Sequence, residues 1–321
     1  VLGPTQAGKS TLVNLLVGSE VTTVSALAGH TRHARGAALG VDEPVLERIA
    51  EALAPARRVS AHELAADDLD QYSLLPVSEA AFADALYNND FELHYQPKLD
   101  LGTGKLVGAE ALLRWQPEGR EPMAPESIVA LAEESGAGFD LCKWVVDHAL
   151  RQMRVWREVI DVPLALNVQA RLVSSPDLLA MLHDALIIWG VPATQLTVEI
   201  TEDAIIEDKQ SGFDNLMGVR DQGMQLAIDD FGTGYSSLSY FKHIPATELK
   251  IDRSFIARMQ TELLDLELVK AIIHLAHQFG LRVVAEGIED DTTLAALQEL
   301  GCDYGQGYLF SAPLPASEFE A

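Results

Sequence analysis

Five carboxylates recur between residues 110 and 286 of this chain: Glu110, Glu199, Asp229, Asp230 and Glu286. Each closes a short apolar run of the kind that forms a β-strand, and Gln96, Asn167, Lys250 with Asp252, and Gln306 close similar runs. Taken singly, an Asp or Glu at a strand end is usually a helix cap or a surface charge, and for Asn167 or Gln306 alone that bland role is the better assignment. Their joint occurrence changes the reading. If the strands lie parallel, their C-terminal ends converge on one mouth and the acids face one another. Gathering them costs roughly several kcal/mol per partly desolvated charge unless cations compensate. Lys250 alone is too little. All-oxygen ligands with an Asn carbonyl suit two divalent ions, Mg2+ or Mn2+, rather than zinc. Such a pair activates water and holds phosphoryl oxygens, which is the chemistry of phosphoester hydrolysis. The two-residue period of a strand also places Glu110 with Arg114, and Lys250 with Asp252, on shared faces.

The elements that must carry these residues are legible from about Val77 onward. Short runs rich in Val, Ile and Leu alternate with longer amphipathic stretches, the pattern of repeated strand-helix units. Eight strands are expected: Phe91–Gln96, Leu106–Leu113, Pro163–Val168, Gln195–Ile200, Gln225–Ile228, Glu248–Ile251, Arg282–Ala285 and a short one ending near Gln306. Helices are expected over Pro125–Ser135, Leu141–Val159, Pro176–Trp189, Ser211–Gln222 and Leu264–Gly280, the last ending on a glycine suited to a C-cap. Residues 77–321, about 245 in all, match the roughly 250 of a (β/α)8 barrel of the TIM type. A closed α/β barrel is favoured over an open doubly wound sheet, whose polar strand ends would concentrate at one switch point.

Residues 1–40 read differently. Gly3, Gly8, Lys9 and Ser10 fit the phosphate-binding pattern G-x-x-x-x-G-K-S/T ahead of an apolar helix, Leu12–Val17. The strand expected before such a loop is cut off at Val1 and no acidic strand or base-binding motif follows before the barrel, so this segment looks like the first fragment of a bacterial GTPase-type domain, expected not to bind nucleotide as it stands. Residues 41–76 read as a helical linker, with Val45–Leu53 helical.

Composition narrows the partners. Forty-eight acids against 23 Lys and Arg give a formal charge of −25, which argues against a polymeric nucleic-acid partner, since that affinity comes from clustered cations. A small anionic ligand remains compatible, because charges beyond roughly 8 Å are screened and the local site decides. Cys142 and Cys302 make neither a disulfide framework nor a zinc set, so a reducing, cytoplasmic location is expected. No run of about 18 apolar residues occurs, and no membrane span or export leader is expected.

With these residues in view, the chain resembles the EAL family. Glu110-Ala111-Leu112, within Val107 to Trp115, is similar to the motif that names it. Tyr95-Gln96-Pro97, Asn167-Val168, Glu199 to Glu202, Asp229 to Leu238, Lys250 to Asp252, Ala285 to Gly287 and Gln306 to Tyr308 are similar to its other blocks, in order, over about residues 79–317. The resemblance implies a barrel with its first strand antiparallel, hydrolysis of cyclic di-GMP to linear pGpG, and a homodimer coupled through the loop after the fifth strand. It assigns Glu110, Asn167, Glu199, Asp229, Asp230 and Glu286 to the metals and Lys250, with Glu110 and Glu286, to catalysis. Gln96, Arg114 and Gln306 are implied substrate or metal-water contacts, and Asp252, on the face of Lys250, joins them on the substrate side. Glu202 resembles the glutamate that steadies the loop 230–238. Departures fall at Gln169, Thr247 and Ala312, where the family usually or often has Ser, Asp and a basic residue. None is a metal ligand in the family, so they bear on affinity or regulation.

Three rival readings fit the residues less well. A non-hydrolysing cyclic di-GMP receptor typically loses metal ligands or the loop after the fifth strand, and this chain keeps both. A nucleotide switch centred on Gly3–Ser10 lacks the rest of its sheet. Asp230-Phe231-Gly232 as a kinase motif fails for want of the companion catalytic loop.

Overall fold

A computed structural model of the chain describes residues 77–205, 211–232 and 243–320. The P-loop-like stretch with Gly3, Gly8, Lys9 and Ser10, the 41–76 linker and residues 233–238 of the loop read with Glu202 lie outside the described residues. Two units are distinguished. The first takes in, among the described residues, helix α1 (Glu79–Asn88) and the segment Gln116–Met123; the second is Asn89–Trp115 with Ala124–Ala321.

The second unit is a closed barrel. Strands β1 (Phe91–Asp100) and β2 (Leu106–Trp115) form an antiparallel hairpin, and β3 (Leu164–Asn167), β4 (Leu196–Thr201), β5 (Gln225–Phe231), β6 (Glu248–Ile251), β7 (Arg282–Ala285) and β8 (Tyr304–Gly305) follow in parallel from β2. β1 pairs β8 antiparallel and so closes the ring, while β9 (Leu314–Pro315) also pairs β1 antiparallel, at His94 and Tyr95. The expected eight-stranded barrel with a reversed first strand is thus present. Gln96, read as a strand end, instead lies within the longer β1, directly opposite Glu110. The hairpin extends the strand past Gln96 because a local turn closes it, with Asp100 accepting from the Thr103 amide at 2.7 Å.

Helices α2 (Pro125–Glu134), α3 (Gly138–Trp156), α5 (Leu178–Trp189), α6 (Ser211–Asp221) and α8 (Leu263–Gln278) fall where the amphipathic stretches place them; short helices α4 (Ala170–Val173) and α7 (Arg253–Ile256) open two of the crossovers. Helix α9 (Asp291–Glu299) was not expected, although its start is written plainly: Asp290 caps it by accepting from the Thr293 amide at 2.8 Å. Helix α10 (Ala316–Phe319) follows β9. At the end of α8 the chain turns through Gly280 at φ +73°, and Leu281 N donates to Ala276 O at 3.0 Å, the six-to-one bond of a left-handed cap.

Alternation along the strands sorts their side chains. Leu249 and Ile251 of β6 point outward into a core shared with Val283 and Ala285 of β7 and with Val269, Ile272, Ile273 and Ala276 on one face of α8. Each such fully buried aliphatic contributes about 1.5–3 kcal/mol. The intervening residues of β6, Glu248 and Lys250, point into the barrel, where both are buried in ion pairs. The same rule that makes the outer core apolar thereby delivers polar groups to the interior.

Candidate metal centre

Glu110 lies within β2, Asn167 ends β3, Glu199 lies near the end of β4, Asp229 and Asp230 lie near the end of β5, and Glu286 follows β7 directly. The structure brings these acids together. Among the described residues, two groups have the spacing of cation ligands: Glu110, Glu199 and Asp229, and Asp229, Asp230 and Glu286. In each, one oxygen per residue lies within 4.8 Å of the others, and Asp229 belongs to both.

Asp229 and Asp230 present a difficulty that the backbone resolves. Neighbours in a regular strand point to opposite faces, so both carboxylates could not join one cluster. Asp230 adopts φ +54°, and the β5–β6 register breaks between Ile228 and Phe231. This left-handed kink costs an Asp on the order of 1–2 kcal/mol. It turns both acids toward the same side.

Lys250 stands at the centre, its side chain 2% exposed. Its Nζ lies 2.7 Å from Glu286 Oε1, 2.9 Å from Glu199 Oε2, 3.2 Å from Asp229 Oδ2 and 3.3 Å from Glu110 Oε2. Glu110 is the best-supported acid: Asn167 Nδ2 donates to Oε1 at 2.7 Å and Gln306 Nε2 donates to Oε2 at 2.7 Å. Gln306 also reaches Glu286 Oε1 at 3.3 Å. Its neighbour Gly307 must be glycine, because a Cβ there would lie 2.2 Å from both the nitrogen and the carbonyl oxygen of Ile288.

The electrostatics follow from five acids around one ammonium. Burial alone would raise Glu110, but Lys250, Gln306 and Asn167 together hold it below the usual carboxylate range. Glu199 is pushed well above that range, by burial and then by Glu110. Glu286 is raised to about 8, mainly by burial, with Lys250 opposing and Asp229 adding to the rise. Asp230 is raised to about 6 by burial and by Asp229 and Asp252. Lys250 is held well above its ordinary value by the acids, against its own burial. One ammonium cannot keep all five acids ionised, whereas divalent cations can, and oxygen donors of this kind are what hard divalent cations take. The donor set therefore fits a divalent metal.

Other expected residues fall in different places. Gln96 is buried, its Nε2 donating to Ser311 O at 3.1 Å. Arg114 is half-buried, and its Nη1 donates to Leu113 O at 2.9 Å. Asp252 is the N-cap of α7, accepting from the Ser254 amide at 3.0 Å and from the Ser254 hydroxyl. The cap role set aside for the acids as a group thus describes Asp252, though it still adds negative charge beside Asp230. Glu202 is buried and accepts from Gly232 N at 2.9 Å, which ties the start of the loop after β5 to the end of β4. Thr247 holds β5 to β6 through its hydroxyl, which accepts from Leu226 N and donates to Leu226 O. A side chain is thereby committed to the sheet where the family often has Asp.

Sequence reasoning missed two features. Tyr308, 69% exposed, lies close enough to Arg114 to influence its guanidinium, and its only signal was membership of the Gln306 block. Lys98 pairs with Glu248 at 2.7 and 2.9 Å inside the barrel, a buried ion pair with no motif to announce it.

Comparison with known proteins agrees with this geometry. The family model described as EAL domain matches residues 79–313, and one described as 50S ribosome-binding GTPase matches residues 1–47. The oxygen sensor protein DosP of Escherichia coli is 41% identical over 241 residues, covering 74% of this chain and 30% of the relative. The cyclic di-GMP phosphodiesterase NbdA of Pseudomonas aeruginosa is 39% identical over 246 residues, covering 75% and 31%. The chain spans about a third of the length of the curated relatives it matches. A solved structure titled PaMucR phosphodiesterase in complex with c-di-GMP superposes with a TM-score of 0.71 at 37% identity, covering 75% of this chain and 98% of that one. No helix among the described residues is long and apolar enough to cross a membrane. With the acidic rim, the reversed first strand and the family match all falling on the same residues, the chain belongs to the EAL domain family.

Proposed function

We propose that this chain hydrolyses cyclic di-GMP to linear pGpG at a centre of two Mg2+ or Mn2+ ions. The observation that carries the reading is the pair of three-acid groups sharing Asp229, with Lys250 among them. Glu110, Asn167, Glu199, Asp229, Asp230 and Glu286 would hold the ions. When bound, such ions lower the pKa of water and draw charge from the phosphoryl group as it develops.

The chain's own residues do the rest. Arg114, at the rim, holds a non-bridging phosphate oxygen by a charge-assisted hydrogen bond. Lys250 orients the attacking water and adds positive charge where negative charge builds. Gln306 and Asn167 keep Glu110 in one orientation, and Gln306 steadies Glu286 as well. Water adds to phosphorus, one ester oxygen leaves with a proton, and the ring opens to the linear dinucleotide. Glu202 supports the loop after β5, through which a homodimer would couple the two sites, and the protein works in the cytoplasm.

The alternative is a receptor that binds cyclic di-GMP without cleaving it. Retention of all six ligand positions together with Lys250 favours the enzyme. Incubation with cyclic di-GMP and Mg2+, with pGpG followed by chromatography, tests the choice. Turnover that disappears in Glu110→Ala is expected; binding without any pGpG would establish the receptor instead.

A further inference from the structure

Four acids from four separate strands or strand ends converge on one nitrogen. Glu110 comes from β2, Glu199 from β4, Asp229 from β5 and Glu286 from the end of β7, all within 3.3 Å of Lys250 Nζ. Lys250 Nζ donates to Glu110 and Glu199 and stands within ion-pair distance of Asp229 and Glu286, and an ammonium has only three N–H donors for the four acids. The stem of Lys250 is fixed in β6, between β5 and β7, and its side chain is 2% exposed, so the charge cannot leave by swinging into solvent. Among the described residues, it is the cation that these four carboxylates share.

We infer that Lys250 is a built-in counter-charge, which gathers the ligand carboxylates before divalent cations arrive and releases them as the cations bind. The inference rests on the metal centre of the function proposed above. Without a positive charge among them, four close carboxylates repel and spread. With one, they stand at near-ligand spacing, and a cation meets a site already assembled. Bound cations repel the ammonium from the cluster, but the strand keeps it at the edge. The same group is then free to face the reacting water. Lys250 is in this sense a positioning residue for metal loading, distinct from its part in turnover.

Thermal unfolding of the whole chain, in EDTA and in saturating Mn2+, separates this from a purely catalytic or purely structural lysine. Mn2+ should raise the Tm of the wild type. Lys250→Met should lower the Tm in EDTA by at least about 5 °C yet leave the Tm in Mn2+ near wild type, so that the metal-induced rise grows. Lys250→Arg should recover the Tm in EDTA without recovering turnover. Equal Tm for Lys250→Met and wild type in EDTA would overturn the inference. So would an equal fall with and without metal, which is what a simple core lysine would give. If Lys250→Met does not fold in EDTA, the double variant Lys250→Met/Glu199→Gln decides: recovery of the metal-free Tm supports the counter-charge role and no recovery overturns it. A wild type whose Tm ignores Mn2+ would instead count against the metal centre itself.

Discussion

Gln306 Nε2 lies 2.7 Å from Glu110 Oε2, joining two residues 196 positions apart in the chain. A second contact from the same amide, 3.3 Å to Glu286 Oε1, makes Gln306 a clamp on two carboxylates of the acidic cluster. Substitution of residues that orient metal ligands typically costs about 10–100-fold in affinity or activity. Gln306→Ala should therefore lower kcat by roughly that factor and raise the Mn2+ concentration needed for half-activity, while KM for cyclic di-GMP stays within about twofold. Steady-state kinetics over a Mn2+ series checks this. A change confined to KM would return Gln306 to the substrate.

The kink at Asp230 trades stability for chemistry. Asparagine tolerates φ +54° as well as aspartate does, and it removes a carboxyl that burial, Asp229 and Asp252 push up to about 6. Asp230→Asn should gain about 1 kcal/mol of stability in EDTA and lose at least roughly 100-fold in turnover. Urea unfolding beside a pGpG assay measures both. A less stable variant would mean that the acid contributes more than it costs.

Lys98 and Glu248 form a buried ion pair within the barrel, and a Cβ on Gly108 would meet the Lys98 side chain at 2.9 Å. Removing one partner strands a charge and should cost about 3–5 kcal/mol, whereas replacing both with apolar residues of similar size should cost far less. Lys98→Met, Glu248→Leu and the double variant, compared by urea denaturation, form the cycle. Additive losses would show that the two side chains act independently.

Asp303 carries a pH dependence of stability away from the metal centre. Burial would raise its carboxyl, but contacts to His277 and Val283 N and to Arg282 hold it below the ordinary value. A folded-state pKa below the unfolded one contributes stability that is present above the unfolded value of 3.8 and is lost as pH falls through the folded value. Asp303→Asn should lower stability by about 1–3 kcal/mol at pH 7 and by less at pH 3. Denaturant midpoints at the two pH values check the sign, and an equal loss at both would exclude the carboxylate as the cause.

Much of this protein was written locally. Apolar runs of four to seven residues with a polar residue at the end specify a strand and what it delivers, so the barrel and the acids gathered at its mouth are legible from local pattern alone. Helix α9 was equally local, its start marked by Asp290, which accepts from the Thr293 amide. Three-dimensional structure decided what depends on partners distant in sequence. The left-handed turn at Asp230 arises where β5 slips against β6, and no property of the pair Asp229-Asp230 requires it. Gln96 and Glu110 oppose each other only because β1 runs backward between β2 and β8. Asp252 was claimed by the amide of Ser254, and Gln306 by Glu110, because a polar side chain in a partly buried rim bonds to whatever donor or acceptor the closed ring brings within reach. Residue type sets what a side chain is able to do; closure of the barrel sets which neighbour it does it to.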